Sequence, residues 1–478
     1  MTNDFFLSNV LIPDNDSYTA VDVQISGTQL QTIAPAGSQL SPNELDRADS
    51  VTIVPGDDKL LLPGFVNGHT HSSQIWQRGL VRPLPLELWL ADVYDAAPKL
   101  DLEEIYLGAL STAIDTVMSG GTCVMDHVLL SFDHELESMA AVVKAYREVG
   151  IRAFIAPLIM DSAMITGLPK GRSQPHSPYP RSTSAILETM AAIVAEFHRP
   201  EAGIHVAIGP TGFHRCSDEL LIGCADLSDR YNLCRHAHLL ETKAQKLLAS
   251  EKYGSSAVAH LKQLGFLDHR TSLAHGVWLE DADLDILAET RSTLVHNPVS
   301  NLRLGSGIAP VLKALQKGVN VSFGCDGAAS NDAQDLLEAI KLGTMLHTIT
   351  DPDYQNWLTP RRAIAMASLG GATGVNLAAQ IGSLEMGKAA DVVLYDLNHL
   401  SMLPRTDPIQ QLVLGRPTQV VDSVWVKGKR LVAEGKLLTV DVEALRQELL
   451  SRSQSDRSHP FQTINQIEPH YRTLLAQE

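Results

Sequence analysis

Cysteine is scarce in this chain of 478 residues, with only Cys123, Cys216, Cys224, Cys234 and Cys325. The count is odd and no two stand in a Cys-x-x-Cys pattern, which speaks against a disulfide framework or a thiolate zinc site and for a reducing compartment. Long apolar runs are absent as well, and none reaches the ~20 residues that cross a bilayer. The opening stretch "MTNDFFLSNVLIPDNDS" lacks the basic flank and apolar segment of a secretory signal. Together these absences predict a cytoplasmic protein with no membrane role. Positive charge is the minority sign: 38 Lys and Arg stand against 55 Asp and Glu, for a formal charge of −17. Such a surface repels phosphates, so a general nucleic-acid role is disfavoured.

What remains is an ordinary globular composition, 44% hydrophobic and 19% charged, long enough for more than one domain. The first sixty residues read as short strands between turns, as in "FFLSNVLI", "AVDVQISGTQLQTIA" and "SVTIVPGDDKLLL". After Pro63 the pattern changes. Eight short apolar runs, from "LLLPGFVNGH" to "VNVSFGCDG", alternate with amphipathic stretches such as "ESMAAVVKAYREVG" and "APVLKALQKG". Eight β-then-α units point to an α/β fold of the (β/α)8 TIM-barrel type. A doubly wound sheet shows the same alternation, and counting strands does not separate the two. From Gly382 strands return in "GSLEMGKAADVVLYDL" and "VDSVWVKGKRLVAEGKLL", so both chain ends are expected to share one small β-sandwich domain. The expected division is 1–62 with 383–440 for that domain, 63–382 for the barrel, and 441–478 for a C-terminal helix and polar tail. The Pro/Ser/Gly-rich loop 167–184 follows the third strand, on the side where lids form.

The strand ends carry the chemistry. The first ends in His69-Thr70-His71, the fifth carries His236, His238 and Glu241, the sixth ends at His275 and the eighth at Asp326. In a barrel such ends converge on one mouth. Imidazoles and a carboxylate suit a zinc-like cation, and residues i and i+2 of a strand face the same way. That parity lets His69 and His71 act together, and it leaves His236 and His238 equivalent. His134, His198, His260, His269 and His347 fall on helix-like or connecting segments and are set aside.

The ordered motifs "PGFVNGHTH", "HAHLLET", "LAHGVWL", "HNPVSNLRLGSGIAP" and "GCDGAASND" closely resemble the amidohydrolase superfamily. Within it they resemble the mononuclear aminohydrolases: adenosine-type, S-adenosylhomocysteine, guanine and cytosine deaminases, together with triazine hydrolases. "GSLEMGKAADVVLYDL" is similar to that family's return strand. The resemblance implies one divalent metal, zinc or else iron, on His69, His71, His238 and Asp326. It prefers His238 over His236 because the family places a Glu three residues after the ligand, where Glu241 stands; His236 is then a packed or supporting histidine. No lysine ends the fourth strand, "IHVAIGPTG", which argues for one metal and not two.

The implied activity is hydrolytic deamination of an amino-substituted N-heterocycle, a purine, nucleoside or related ring. Asp326 and His275 would handle the protons of an activated water, and Glu241 would protonate the ring nitrogen. The pocket candidates are Trp76 and Trp89, with Arg78 and Glu87 beside them on the first loop, then Thr211 and Asn297. Two departures count against an adenosine-type substrate. Thr211 stands where nucleoside deaminases of this branch carry a substrate-binding His, and "WLADVYDAAPKL" lacks their ribose-gripping Glu. Cleavage of a cyclic amide or N-alkylamino group is the second reading, separated from the first by ring opening in place of ammonia release. A non-catalytic metal-binding barrel is the third. The resemblance also implies a homo-oligomer, dimer or tetramer. Elemental analysis of the purified chain should find about one equivalent of divalent metal, and less than half an equivalent would contradict the enzyme readings.

Overall fold

A computed structural model gives the structure and describes residues 4–37, 51–96, 100–170, 178–453 and 463–475. Five strands open the chain: β1 (Asp4–Asp14), β2 (Ser17–Ser26), β3 (Gln29–Pro35), β4 (Val51–Pro55) and β5 (Lys59–Pro63). Four more close it: counted after the ten strands that lie between, they are β16 (Val392–Asp396), β17 (Val421–Val426), β18 (Lys429–Ala433) and β19 (Lys436–Leu437). All nine join one sheet in the order β19-β18-β17-β16-β5-β1-β2-β3, with β4 beside β1. The two chain ends meet where β16 runs antiparallel to β5, Val393 opposite Leu62. Strand alternation then sorts the side chains. Leu61, Val392 and Leu394 enter a small core with Phe5, Ile25 and Trp425. Leu60, Leu62, Val393 and Tyr395 face the main core.

The ten intervening strands are β6 (Phe65–Thr70), β7 (Gly121–Asp126), β8 (Arg152–Ile155), β9 (Leu158–Ile159), β10 (Ile204–Val206), β11 (Gly209–Pro210), β12 (Arg235–Leu239), β13 (Thr271–His275), β14 (Thr293–His296) and β15 (Asn320–Phe323). Strands β6, β7, β8 and β10 pair in parallel, as do β12, β13, β14 and β15. Between the two sets, the His236 amide donates to Ile208 O at 2.9 Å and the Ile208 amide to Cys234 O at 2.9 Å. On the far side the Asp326 amide donates to His69 O at 2.8 Å. The eight main strands therefore follow one another in chain order, without the reversal a doubly wound sheet requires. Helices such as Glu135–Val149, Asp218–Tyr231 and Leu336–Leu346 return the chain between them.

The expected first strand, "LLLPGFVNGH", divides in two at Gly64. The residues before it belong to the terminal sheet and those after it to the parallel set. A Cβ at Gly64 would stand 2.1 Å from the Thr122 hydroxyl, so the crossing needs glycine. The C-terminus departs from expectation. A helix does follow Asp441, Val442–Ser453, but part of the expected polar tail forms another helix, Ile464–Leu475. Its apolar residues Ile464, Ile467 and Tyr471 are spaced for one face and are hidden in the sequence among polar neighbours and Pro469. Part of the expected lid, residues 171–177, lies outside the described residues. Among the described residues no helix is long and apolar enough to cross a membrane.

A buried ion pair joins the terminal sheet to the parallel strands. Arg152 of β8, with a side chain 4% exposed, donates twice to Asp391, 1% exposed, both bonds at 3.1 Å. The Lys427 amide adds a third bond to Asp391 at 2.8 Å. Removing one partner of such a pair leaves a buried charge uncompensated. Asp391→Ala should therefore lose about 3–5 kcal/mol of stability in a denaturant titration; a loss within experimental error would contradict this role.

Candidate active site

The predicted residues meet at the C-terminal ends of the parallel strands. His69 lies within β6 and His71 follows it; His238 lies within β12, with Glu241 two residues beyond its end. His275 closes β13, and Asp326 follows β15. Two of these positions are held in the left-handed region, His275 at φ 75° and Asp326 at φ 62°. For residues with a Cβ this costs about 1–3 kcal/mol each and persists only where the surroundings impose it. Around Asp326 the constraint is visible: its carbonyl accepts from Thr70 Oγ1 at 3.0 Å and from Gln334 Nε2 at 2.5 Å.

Hydrogen bonds from behind fix the orientation of each imidazole. His71 Nδ1 donates to His127 O at 2.6 Å and His238 Nδ1 donates to Thr211 O at 2.7 Å. His69 Nδ1 lies 2.7 Å from His236 Nε2, and His236 Nδ1 lies 2.7 Å from Ser272 Oγ. Read in one direction, this chain donates from His69 to His236 to Ser272, whose hydroxyl donates on to Arg235 O at 3.4 Å. All three rings then carry their hydrogen on Nδ1, and their Nε2 lone pairs point inward. Burial reinforces the neutral state: it drives His69 down to about 3, against the pull of Asp326. It also drives His238 well below the usual histidine range, helped by His127 and His69.

The consequence is a cluster of acceptors with a single donor among them, the Gly327 amide, which reaches Asp326 Oδ1 at 2.6 Å. His71 Nε2 and His238 Nε2 face each other at 3.2 Å, and His69 Nε2 is buried with no partner. Asp326 Oδ1 stands 3.4 Å from His71 Nε2 and 3.5 Å from His69 Nε2. Burial alone would raise the Asp326 carboxyl; a hydrogen bond and positive charge from His69, His275 and His71 would pull it well below the usual carboxylate range, and with those rings neutral that pull falls to a bound cation. Three inward lone pairs and one carboxylate repel one another unless a cation sits among them, and this donor set fits a divalent metal. Three further groupings could also hold one: His69 with His238 and His275, His69 with His127 and His236, and His71 with His127 and His238.

Beside the cluster, His275 Nδ1 donates to Asn301 Oδ1 at 2.9 Å, which leaves Nε2 free to accept. That atom is 3.6 Å from Glu241 Oε2 and 3.9 Å from Asp326 Oδ2. Burial pushes the Glu241 carboxyl well above its ordinary value, and the charges of Asp326 and Glu87 add to the shift. Glu241 Oε1 is buried without a partner. These groups open into a cavity of about 890 Å³.

The pocket candidates divide. Trp89 and Thr211 line the cavity. Trp76 does not: its indole donates to Glu104 O at 2.9 Å and its ring packs in the main core. Nor does Asn297, which is buried under the sheet ends, where a Cβ on Gly324 would meet its Oδ1 at 2.3 Å. The residue that reaches the site from "HNPVSN" is Asn301, one helical turn later. Arg78 pairs with Asp115, and Glu87 accepts from Thr242 Oγ1 at 2.5 Å. Three residues that the sequence did not single out belong here. His127 stands one residue past β7 and donates from Nε2 to Gly209 O at 2.9 Å. His214 lines the cavity, and so does His134, one of the histidines set aside. Of the expected lid, Tyr179 and Arg181 line the cavity too.

Comparison with known proteins adds to this geometry. Residues 60–431 match the model of the Amidohydrolase family. A 5′-deoxyadenosine deaminase of Methanothermobacter thermautotrophicus is 34% identical over 85% of this chain and 88% of its own. A 5-methylthioadenosine/S-adenosylhomocysteine deaminase of Caldanaerobacter subterraneus is 32% identical over 94% of this chain and 96% of its own. Among solved structures, an adenosine deaminase from Xanthomonas campestris with bound zinc superposes with a TM-score of 0.81 at 25% identity, covering 95% of this chain and 99% of that one. Agreement over most of the chain, and with relatives along nearly their whole length, shows that this protein belongs to the amidohydrolase family.

Proposed function

We propose that the cavity takes the adenine ring of a 5′-modified adenosine, and that one zinc ion on His69, His71, His238 and Asp326 serves the reaction. The chain is a hydrolytic deaminase, a hydrolase of carbon–nitrogen bonds in a cyclic amidine. The same reading takes the eight parallel strands as a closed (β/α)8 barrel with the site at its C-terminal mouth. Zinc is favoured because three imidazoles and a carboxylate suit it, and because the similar adenosine deaminase holds zinc.

The observation that carries the reading is Glu241, which faces the cavity with a raised carboxyl and an unpartnered oxygen. Kept protonated by burial, it can donate to the ring nitrogen beside the amino-bearing carbon, which makes that carbon electrophilic. The bound cation would supply a water acidified towards neutrality. His275, its Nδ1 committed to Asn301, offers Nε2 to take the proton of that water. Asp326, held as a carboxylate, can accept a proton beside it. The oxygen of that water adds to the amino-bearing carbon, and a proton returned to the amino group lets the carbon–nitrogen bond break and ammonia depart. Thr211 and the missing ribose-binding Glu stay as departures, so the sugar is gripped by other residues than in nucleoside deaminases.

Ammonia release from adenosine, 5′-deoxyadenosine, 5′-methylthioadenosine, guanine and an alkylamino-triazine tests the reading. The adenosines should be the best substrates; turnover of the triazine alone would overturn it. Glu241→Gln should keep its zinc and lose at least about 100-fold in kcat, and an unchanged rate would sink the assigned role. Asn301→Ala frees the His275 ring to adopt the wrong tautomer. Its kcat should fall about 10–100-fold at unchanged zinc content, whereas a rise in KM alone would contradict that role.

A further inference from the structure

The last helix of the chain, Ile464–Leu475, lies beyond the family match, which ends at residue 431. It nevertheless packs against a wall of the cavity. That wall is the helix Leu86–Ala96, which is apolar on two faces. Leu86, Trp89, Leu90 and Val93, spaced i, i+3, i+4 and i+7, line the cavity. Leu88 and Ala91 turn the other way and are buried against Ile467, itself 3% exposed. Leu168 enters the same cluster from the excursion that follows β9. The C-terminal helix therefore holds together two excursions from different strands. A second tie runs from the wall to the catalytic strand, since Glu87 accepts from Thr242, the neighbour of Glu241.

We infer that the C-terminal helix determines substrate specificity: Ile467 is a positioning residue that presses the Leu86–Ala96 wall inward and sets the breadth of the chamber. An unsupported wall would expose Leu88, Ala91 and Leu168 to water and could shift outward to avoid that. The substrate loses packing against Trp89 and Leu90, while the metal cluster and Glu241 stay on their strands. This inference rests on the cavity being the substrate site.

Ile467→Asp in the full chain, with Ile467→Ala as a milder variant and Ile467→Leu as the conservative one, tests it. In Ile467→Asp, KM for 5′-deoxyadenosine should rise about tenfold with kcat within about threefold, the signature of lost uniform binding. The relative kcat/KM for adenosines with bulky 5′-substituents should increase. Hydrogen exchange should quicken in the Leu86–Ala96 helix and not in β6 or β12. Ile467→Ala should move the same way by less, and Ile467→Leu should match the wild type with zinc content unchanged throughout. Unchanged KM together with unchanged exchange would overturn the inference, as would an equal fall in kcat and kcat/KM. If the wild type deaminates no adenosine, the functional reading fails, and the exchange measurement alone still decides whether Ile467 holds the wall.

Discussion

Three imidazoles, those of His69, His71 and His238, keep their Nε2 atoms turned towards one another and towards Asp326; the rest of the proposed site depends on this. Each does so because its Nδ1 is held from behind, by His127 O for His71, by Thr211 O for His238 and by His236 for His69. A ring free to turn would present a hydrogen where a lone pair is needed. A charged ring would be costly to bury and would compete with the metal. The supports are thus as necessary to the proposed metal site as its ligands, and two of the three are backbone carbonyls, which side-chain substitution does not remove.

The fold keeps these supports rigid at a local cost. His275 and Asp326 adopt left-handed backbone at their strand ends. Asp326 is fastened by its amide on His69 O and by two donors on its carbonyl. Such strain persists because the strands on either side are paired and buried. Glu241 stands apart in character: it lines the cavity, its Oε1 is buried without a partner, and burial keeps its carboxyl above the ordinary range. On the proposed reading, a cluster of acceptors beside one carboxyl raised by burial would separate the groups that serve the water from the group that serves the ring.

Much of this was legible in the sequence because it follows from periodicity. Strand parity put His69 and His71 on one side, and alternation of strands and helices placed Glu241, His275 and Asp326 at the ends of the fifth, sixth and eighth strands. Parity could not separate His236 from His238; the structure does so through direction, since His236 lies behind His69 and His238 faces His71. What escaped depends on contacts between segments far apart in the chain. Asn301 reaches His275 because a helical turn carries it past Asn297, and His127, directly after Asp126 at the end of β7, shows its place only through its bond to Gly209 O. Trp76 and Trp89 are alike as sequence, and both indoles donate to a backbone carbonyl, Glu104 O and Ala329 O, yet of the two it is Trp89 that lines the cavity. The last helix was read as a tail because only its packing on Leu88, Ala91 and Leu168 reveals its apolar stripe.

The central claim is that a single metal sits on the Nε2 atoms of His69, His71 and His238 and on Asp326. Anomalous diffraction at the zinc edge from crystals of the full chain tests it most directly. The expected result is one peak about 2.0–2.1 Å from those three nitrogens, with an Asp326 oxygen at about 2.0–2.2 Å. A peak centred instead on His127 and His236, or no peak in protein purified with zinc, would contradict it.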